Sequence, residues 1–126
     1  MKRILLACFL LTATFTLLSV QHASAQAVTQ ASFMAKVNAM DAYIGAGDTT
    51  AAKTKWNSID ADMLIVLSVT KNSIRAATNP TDVTYYTNIM TSQRALYRQI
   101  WALHTNLTLN RSALYTNLSN FDGTIY

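Results

Sequence analysis

Apolar side chains recur at intervals of three and four residues along most of the chain after residue 26. This spacing places them on one face of an α-helix, whereas a half-buried strand would alternate every two residues. The first such stripe consists of Phe33, Val37, Met40 and Ile44. Only three glycines and one proline interrupt the 126 residues, which is too few for a turn-rich sandwich or barrel. The pattern therefore predicts an all-α fold, a three- or four-helix up-down bundle.

Local start and stop signals divide the predicted bundle into helices. Gly45-Ala46-Gly47 ends the first stripe, because glycine readily adopts the left-handed cap conformation. Asp48 and Asn79 are good N-caps, and Pro80 suits the first position of a helix. Either a turn near 108–110 begins a fourth helix or the third helix runs on to about residue 121, and compactness favours the turn. The predicted helices are 29–44, 49–77, 80–106 and 109–122.

The first 25 residues have the three parts of a Sec-type secretory signal peptide. Met1-Lys2-Arg3 is positively charged, residues 4–20 are almost uninterruptedly apolar, and His22-Ala23-Ser24-Ala25 supplies a small-x-small cleavage site. We therefore predict cleavage after Ala25, a mature bundle domain of residues 26–126, and a periplasmic or secreted location. No membrane span would remain after processing. The alternative is an uncleaved anchor, but the apolar segment is short for a span and contains three threonines.

Removal of the signal also changes the composition of the chain. The only cysteine, Cys8, leaves with it. Cys8 has lipobox-like neighbours, but a lipid-accepting cysteine follows the apolar segment rather than standing within it. Lys2 and Arg3 leave as well, so 10 − 2 = 8 basic residues remain against 6 acidic ones, for a net charge of +2. Such a small excess gives no support for nucleic-acid binding.

The mature sequence carries few residues from which a catalytic or metal site could be built. His104 would be its only histidine, and it would contain no cysteine and no glutamate, whereas a zinc site needs three or four such ligands. It has no Gly-flanked serine of the nucleophile-elbow type and no glycine-rich phosphate loop. We therefore expect no enzymatic activity, no cofactor and no metal, and we assign no catalytic residue.

Five consecutive apolar residues make the second helix apolar around its whole circumference. They are Met63, Leu64, Ile65, Val66 and Leu67, and we refer to them as the interface belt. One interpretation is that this helix is central in the bundle. The other is that one side of the belt stays exposed for self-association or for a partner protein.

Two features of the second and third helices could carry a binding function. Asp60 lies at the border of the buried stripe, where a carboxylate needs a partner. We expect a buried ion pair with Arg94 or Arg98, or a bond from a tyrosine hydroxyl; the alternative is that Asp60 points into water. A basic-aromatic ridge could bind an anionic or aromatic ligand, a glycan or a peptide, or it could be the edge of a core helix. The ridge consists of Arg94, Tyr97, Arg98, Trp101 and His104.

Tyr43, Gly47, Ala52 and Trp56 are similar in type and spacing to the residues at the turn of a tetratricopeptide-repeat hairpin. The resemblance covers one turn, has no second copy one repeat further on, and implies a packed pair of helices rather than a repeat array. In size and expected compartment the chain is also similar to small periplasmic stress chaperones of the Spy type, although their Leu-Thr-x-x-Gln motif is missing.

These features favour an exported, non-enzymatic protein-binding or chaperone-like module that acts through its helix faces. A structural envelope protein and a small-ligand carrier are the alternatives. A pocket between the helices, lined by Trp56, Trp101 and Tyr97, would favour the carrier.

Overall fold

The computed structural model describes residues 27–126, so the predicted signal peptide, its cleavage site and Cys8 lie outside the described residues. Four α-helices and one 3-10 turn follow one another: α1 (Gln30–Gly45), α2 (Thr49–Ala76), α3 (Pro80–Leu103), the turn (His104–Asn106) and α4 (Arg111–Asp122). Each helix packs against the next one in the chain, and α4 packs back against α1. The predicted all-α bundle is confirmed, with four helices.

The contacts between α1 and α4 show that these two helices run antiparallel. Near the start of α1, the Phe33 ring lies 5.6 Å from the Phe121 ring near the end of α4. Two turns further along α1, Asp41 pairs with Arg111, the first residue of α4, at 2.8 Å. A bundle of antiparallel neighbours is the expected result when short loops join successive helices.

Side-chain caps fix where the helices begin. The Asp48 side chain accepts a hydrogen bond from the Ala51 amide at the start of α2, and Asn79 accepts one from the Asp82 amide at the start of α3. Gly47 has a φ of 77°, the left-handed conformation that glycine adopts without a steric penalty. The capping roles predicted for Asp48 and Asn79 are therefore confirmed, as is the glycine stop before α2.

The predicted apolar stripes meet in one core that runs along the bundle axis. The four residues of the α1 stripe are all buried, and α2, the longest helix, contributes the largest share. None of the helices within residues 27–126 is both long and apolar enough to cross a membrane. The core consists of Phe33, Val37, Met40, Ile44, Ala52, Trp56, Ile59, Met63, Val66, Ile100, Leu107, Leu114, Leu118, Phe121 and Ile125.

A turn separates α3 from α4, which decides between the two arrangements left open by the sequence. α3 ends at Leu103, three residues before the expected boundary, and α4 begins at Arg111. The Asn110 side chain donates to the Leu103 carbonyl at 2.9 Å, and Asn106 accepts a bond from the Leu109 amide. These bonds satisfy backbone groups that the end of a helix leaves without intrahelical partners.

The segment after α4 folds back over the end of the bundle, which the sequence did not predict. Ile125 is buried in the core, and its carbonyl accepts a bond from the Gln30 side chain on α1 at 3.1 Å. Gln93 of α3, which is fully buried, donates to the Thr124 carbonyl at 3.3 Å. The Tyr126 hydroxyl bonds Oγ of Ser73 on α2. The tail therefore ties three helices together at one end of the bundle.

Candidate functional site

Asp60 on α2 lies opposite the aromatic side chains of α3. Its Oδ1 atom accepts a hydrogen bond from the Tyr97 hydroxyl at 3.0 Å and another from the Trp101 indole N–H at 3.1 Å. The indole N–H also lies 2.6 Å from the Tyr97 oxygen, so two acceptors share it. Of the partners expected for Asp60, the structure provides the tyrosine hydroxyl. Neither Arg94 nor Arg98 bonds the carboxylate, so the predicted ion pair of Asp60 is absent from residues 27–126.

The acid that does form an ion pair is Asp62, two residues further along α2. Its Oδ2 atom lies 2.7 Å from Nζ of Lys36 on α1, and the Asp62 side chain is only 11% exposed. Successive helical residues are about 100° apart, so Asp60 and Asp62 point to different neighbours. Asp60 faces α3 and Asp62 faces α1. The predicted tyrosine bond of Asp60 is present, but the ion pair of Asp62 was not predicted, because the apolar period does not reveal which cation stands beside each flank.

Two tryptophans and a histidine pack together where α2 meets the end of α3. The His104 ring stacks on the Trp56 ring, with centroids 4.5 Å apart and an interplanar angle of 9°. Trp101 meets His104 edge-on at 4.4 Å and Trp56 edge-on at 6.4 Å. The His104 Nδ1 atom also bonds the Trp101 carbonyl oxygen. His104 is therefore a packing residue that fills the space between the two indoles.

The positions of these contacts show how α2 and α3 are aligned. Trp56 contacts His104, and Asp60, one turn later on α2, contacts Tyr97, two turns earlier than His104 on α3. The two helices therefore run antiparallel. The four-residue spacing of Trp56 and Asp60 puts them on one flank of α2, and their contacts show that this flank faces α3.

The basic-aromatic ridge divides into a packed half and an exposed half. Tyr97 and His104 are partly buried and engaged in the contacts described above. Trp101 is 44% exposed although its N–H is bonded. Arg94 and Arg98 are exposed and make neither an ion pair nor a side-chain hydrogen bond within the described residues. The exposed half of the ridge therefore combines an aromatic ring whose N–H is hydrogen-bonded with two guanidinium groups that have no ion-pair partner among residues 27–126.

The five residues of the interface belt do not form one exposed surface. Met63 and Val66 are in the core, Ile65 and Leu67 are half-buried, and Leu64 is 50% exposed. α2 is therefore covered by α1 and α3 on most of its circumference. Only Leu64 offers a large exposed apolar side chain among these five residues, and it follows Asp60 by one turn, on the α3 flank.

Exposed residues of α2 and α3 together form one continuous surface, because the Asp60 contacts place their two rows side by side. Lys53, Leu64 and Lys71 lie 7, 4 and 11 residues from Asp60, which are near-whole numbers of helical turns. This spacing can be read from the sequence, but Lys53 and Lys71 were not singled out there, because their position beside the arginines of α3 becomes apparent only in the structure. The α2/α3 face consists of Lys53, Asp60, Leu64 and Lys71 from α2, and of Arg94, Arg98 and Trp101 from α3.

The contact with Asp60 keeps the Tyr97 hydroxyl protonated, so that it can donate its hydrogen bond. Burial and the hydrogen bond to the Asp60 carboxylate raise the pKa of the Tyr97 hydroxyl, while the Trp101 bond opposes this change. The hydroxyl therefore remains protonated at neutral pH and continues to donate to Asp60. No deprotonated tyrosine is offered to a reacting group at this site.

Two clefts and one small cavity of the described surface lie away from the α2/α3 face. A cleft of about 540 Å³ lies beside Asp41 and Arg111, and one of about 430 Å³ beside Pro80 and Tyr85. An apolar cavity of about 30 Å³ lies between Val66 and Ile125. Within residues 27–126, no three side chains of the His, Cys, Asp or Glu type lie close enough together to hold a metal ion.

No protein family, curated protein or solved structure matches this chain. The tetratricopeptide-like residues occupy the α1–α2 turn, where Ala52 and Trp56 are buried in the helix pair. The α2/α3 face is therefore the candidate site of this chain.

Proposed function

We propose that this chain is an exported, non-enzymatic protein-binding module, chaperone-like in that it offers a preformed helix face to polypeptide partners. One observation carries the proposal: Trp101 is 44% exposed, yet its indole N–H is fixed by Asp60 and Tyr97. Tryptophan, tyrosine and arginine are the residue types that dominate binding energy at protein interfaces. A ring already held in place loses little conformational entropy on binding.

The neighbours of Trp101 support a partner that covers an extended area. Arg94 and Arg98 precede it by seven and three residues on the same side of α3, and Leu64 is exposed on α2. An apolar centre with a charged border is the usual anatomy of a protein interface. Small-molecule sites are concave, and the clefts of about 540 and 430 Å³ are lined by other residues.

The alternatives receive less support from the same residues. A small-ligand carrier needs a pocket between the helices, and the apolar cavity of about 30 Å³ has room for about one water molecule. His104 fills the space between Trp56 and Trp101 in which the expected pocket would lie. A purely structural envelope protein would have no use for an exposed tryptophan held in one orientation.

Export is the part of the proposal that rests on residues 1–25 alone, and an intact mass measurement tests it. Protein recovered from the envelope of an exporting cell should have the mass expected of residues 26–126, with Gln26 as the first residue. A mass that includes Met1 would contradict cleavage and would favour an anchored protein instead.

Peptide selection tests the binding role. Peptides selected from a random displayed library against the purified protein should bind the wild type, and Trp101→Ala should weaken that binding about 30-fold. A hot-spot truncation costs about 2 kcal/mol, which corresponds to this factor. Tyr85→Ala is the matched control, because Tyr85 is a 55% exposed aromatic residue of α3 outside the α2/α3 face. If no peptide is selected, or if both variants bind equally well, the proposal is wrong.

A further inference from the structure

The α2/α3 face carries a strong local excess of positive charge. Four of its seven residues are cations, Lys53, Lys71, Arg94 and Arg98, and all four are exposed. None of them forms an ion pair within residues 27–126. The single carboxylate of the face, Asp60, already accepts two hydrogen bonds. Clusters of like charge raise the local concentration of oppositely charged partners and speed their association.

The other five acids form no ion pair with these four cations within residues 27–126. Asp82, at the start of α3, accepts a hydrogen bond from the Asn79 side chain, and Asp122 lies at the end of α4. Asp41 and Asp62 pair with Arg111 and Lys36 on the α1 and α4 side. Asp48 accepts a capping bond at the start of α2. The charge of the whole described chain is close to balanced, so the asymmetry is a property of this face.

The dimensions of the α2/α3 face correspond to a short extended segment. Lys53 and Lys71 are 18 residues apart on one helix, which is about 27 Å at about 1.5 Å per residue. An extended chain covers that distance with about eight residues. Trp101 contacts Asp60, and Leu64 follows Asp60 by one turn, so the two apolar side chains lie at different points along the face, with the arginines beside them.

We infer that the partner of the α2/α3 face is an extended acidic polypeptide segment whose carboxylates pair with Arg94 and Arg98 and whose apolar side chain packs on Trp101. This inference rests on the proposed binding function and specifies its substrate class. Arginine favours carboxylates, because its planar donors match them two at a time. Leu64, 50% exposed on the same surface, adds an apolar contact that a polysaccharide would not use.

Matched peptides test the inference. Fluorescein-labelled peptides of three Glu-Glu-Phe, Gln-Gln-Phe or Lys-Lys-Phe repeats are titrated with the purified protein, and their anisotropy is measured. The acidic peptide should bind about tenfold more tightly than the neutral one at low salt, and the difference should shrink as salt is added. The basic peptide should bind most weakly. Equal affinity for all three peptides, with Trp101 still required, would overturn the acidic assignment while leaving the binding function intact.

Charge reversal shows whether the position of the cations matters. Arg98→Glu should weaken binding of the acidic peptide about tenfold, whereas Lys55→Glu should leave it within twofold. Both variants change the net charge equally, but Lys55 lies five residues before Asp60, about 140° away around α2, and is therefore outside the α2/α3 face. Arg98 makes no side-chain bond within residues 27–126, so its replacement should leave the circular dichroism melt unchanged. Equal losses in both variants would overturn the inference.

A sulfated oligosaccharide of matched charge separates a peptide site from a general anion site. The acidic peptide should bind more tightly than the oligosaccharide, because its phenylalanine rings bury more apolar area on Trp101 and Leu64 than a sulfated sugar ring does. Equal or tighter binding of the oligosaccharide would assign the face to anionic glycans instead. If none of these probes binds while selected peptides of other composition do, the acidic inference fails but the binding function stands.

Discussion

Asp60→Ala is the substitution that tests the candidate site most directly. It leaves the Tyr97 hydroxyl and the Trp101 indole N–H without the carboxylate oxygen that they share, at 3.0 and 3.1 Å. A hydrogen bond to a charged group contributes about 1.5 to 3 kcal/mol when buried. Asp60 is half-buried and Trp101 is 44% exposed, so water can replace part of each bond. We expect a loss of about 2 kcal/mol in the free energy of unfolding.

Thermal and urea unfolding followed by circular dichroism measure this loss. For a domain of about 100 residues, 2 kcal/mol lowers the Tm by about 8 to 16 °C. Asp60→Asn keeps an acceptor oxygen and should cost less than about 1 kcal/mol, and Tyr97→Phe should cost about 1 kcal/mol. In a Trp56→Phe background, Trp101 becomes the only tryptophan, so its emission also reports whether releasing the N–H changes its surroundings.

Two results would refute the reasoning. An Asp60→Ala variant within about 0.5 kcal/mol of the wild type would mean that both donors are equally well solvated in the folded protein. An equal loss in the Arg94→Ala/Arg98→Ala double variant would mean that the carboxylate is held by ion pairs in solution. The double variant is the control, because neither arginine bonds Asp60 in the structure.

Three further predictions concern the charged residues outside the α2/α3 face. Lys36→Met leaves Asp62, whose side chain is 11% exposed, without its counterion and should lower the free energy of unfolding by about 3 kcal/mol. Lys36→Met/Asp62→Leu removes both charges and should stay within about 1 kcal/mol of the wild type. Urea unfolding measures both variants. The hydrogen bond from Arg111 lowers the pKa of Asp41. Arg111→Met should therefore destabilise the protein by its full amount above about pH 4, and the difference from the wild type should disappear as the pH falls through the lowered pKa. A destabilisation that does not change with pH would contradict this prediction. Burial raises the pKa of Asp122, whose Oδ1 atom has no hydrogen-bond partner within residues 27–126. Asp122→Asn should therefore raise the Tm at pH 7 but not below about pH 4, and a lower Tm at pH 7 would show that the carboxylate stabilises the fold.

The sequence determined the local architecture of this protein. The spacing of apolar residues defined the helices, and Asp48, Asn79 and Pro80 marked their starts, because caps and helical periodicity depend on residues three or four positions apart. Where the sequence allowed two arrangements, local signals were not enough. The turn before α4 depended on Asn106 and Asn110, which bond backbone groups near the end of α3.

The tertiary structure alone decided which partners the polar side chains meet. Asp60 and Asp62 look alike in the sequence, yet one holds Trp101 and the other pairs with Lys36, because they face different neighbouring helices. Gln93 is buried on α3, and only the tail that folds back over it provides the Thr124 carbonyl to which it donates. Helical periodicity states which side chains share a flank, but the rotation and alignment of the next helix determine what stands opposite them.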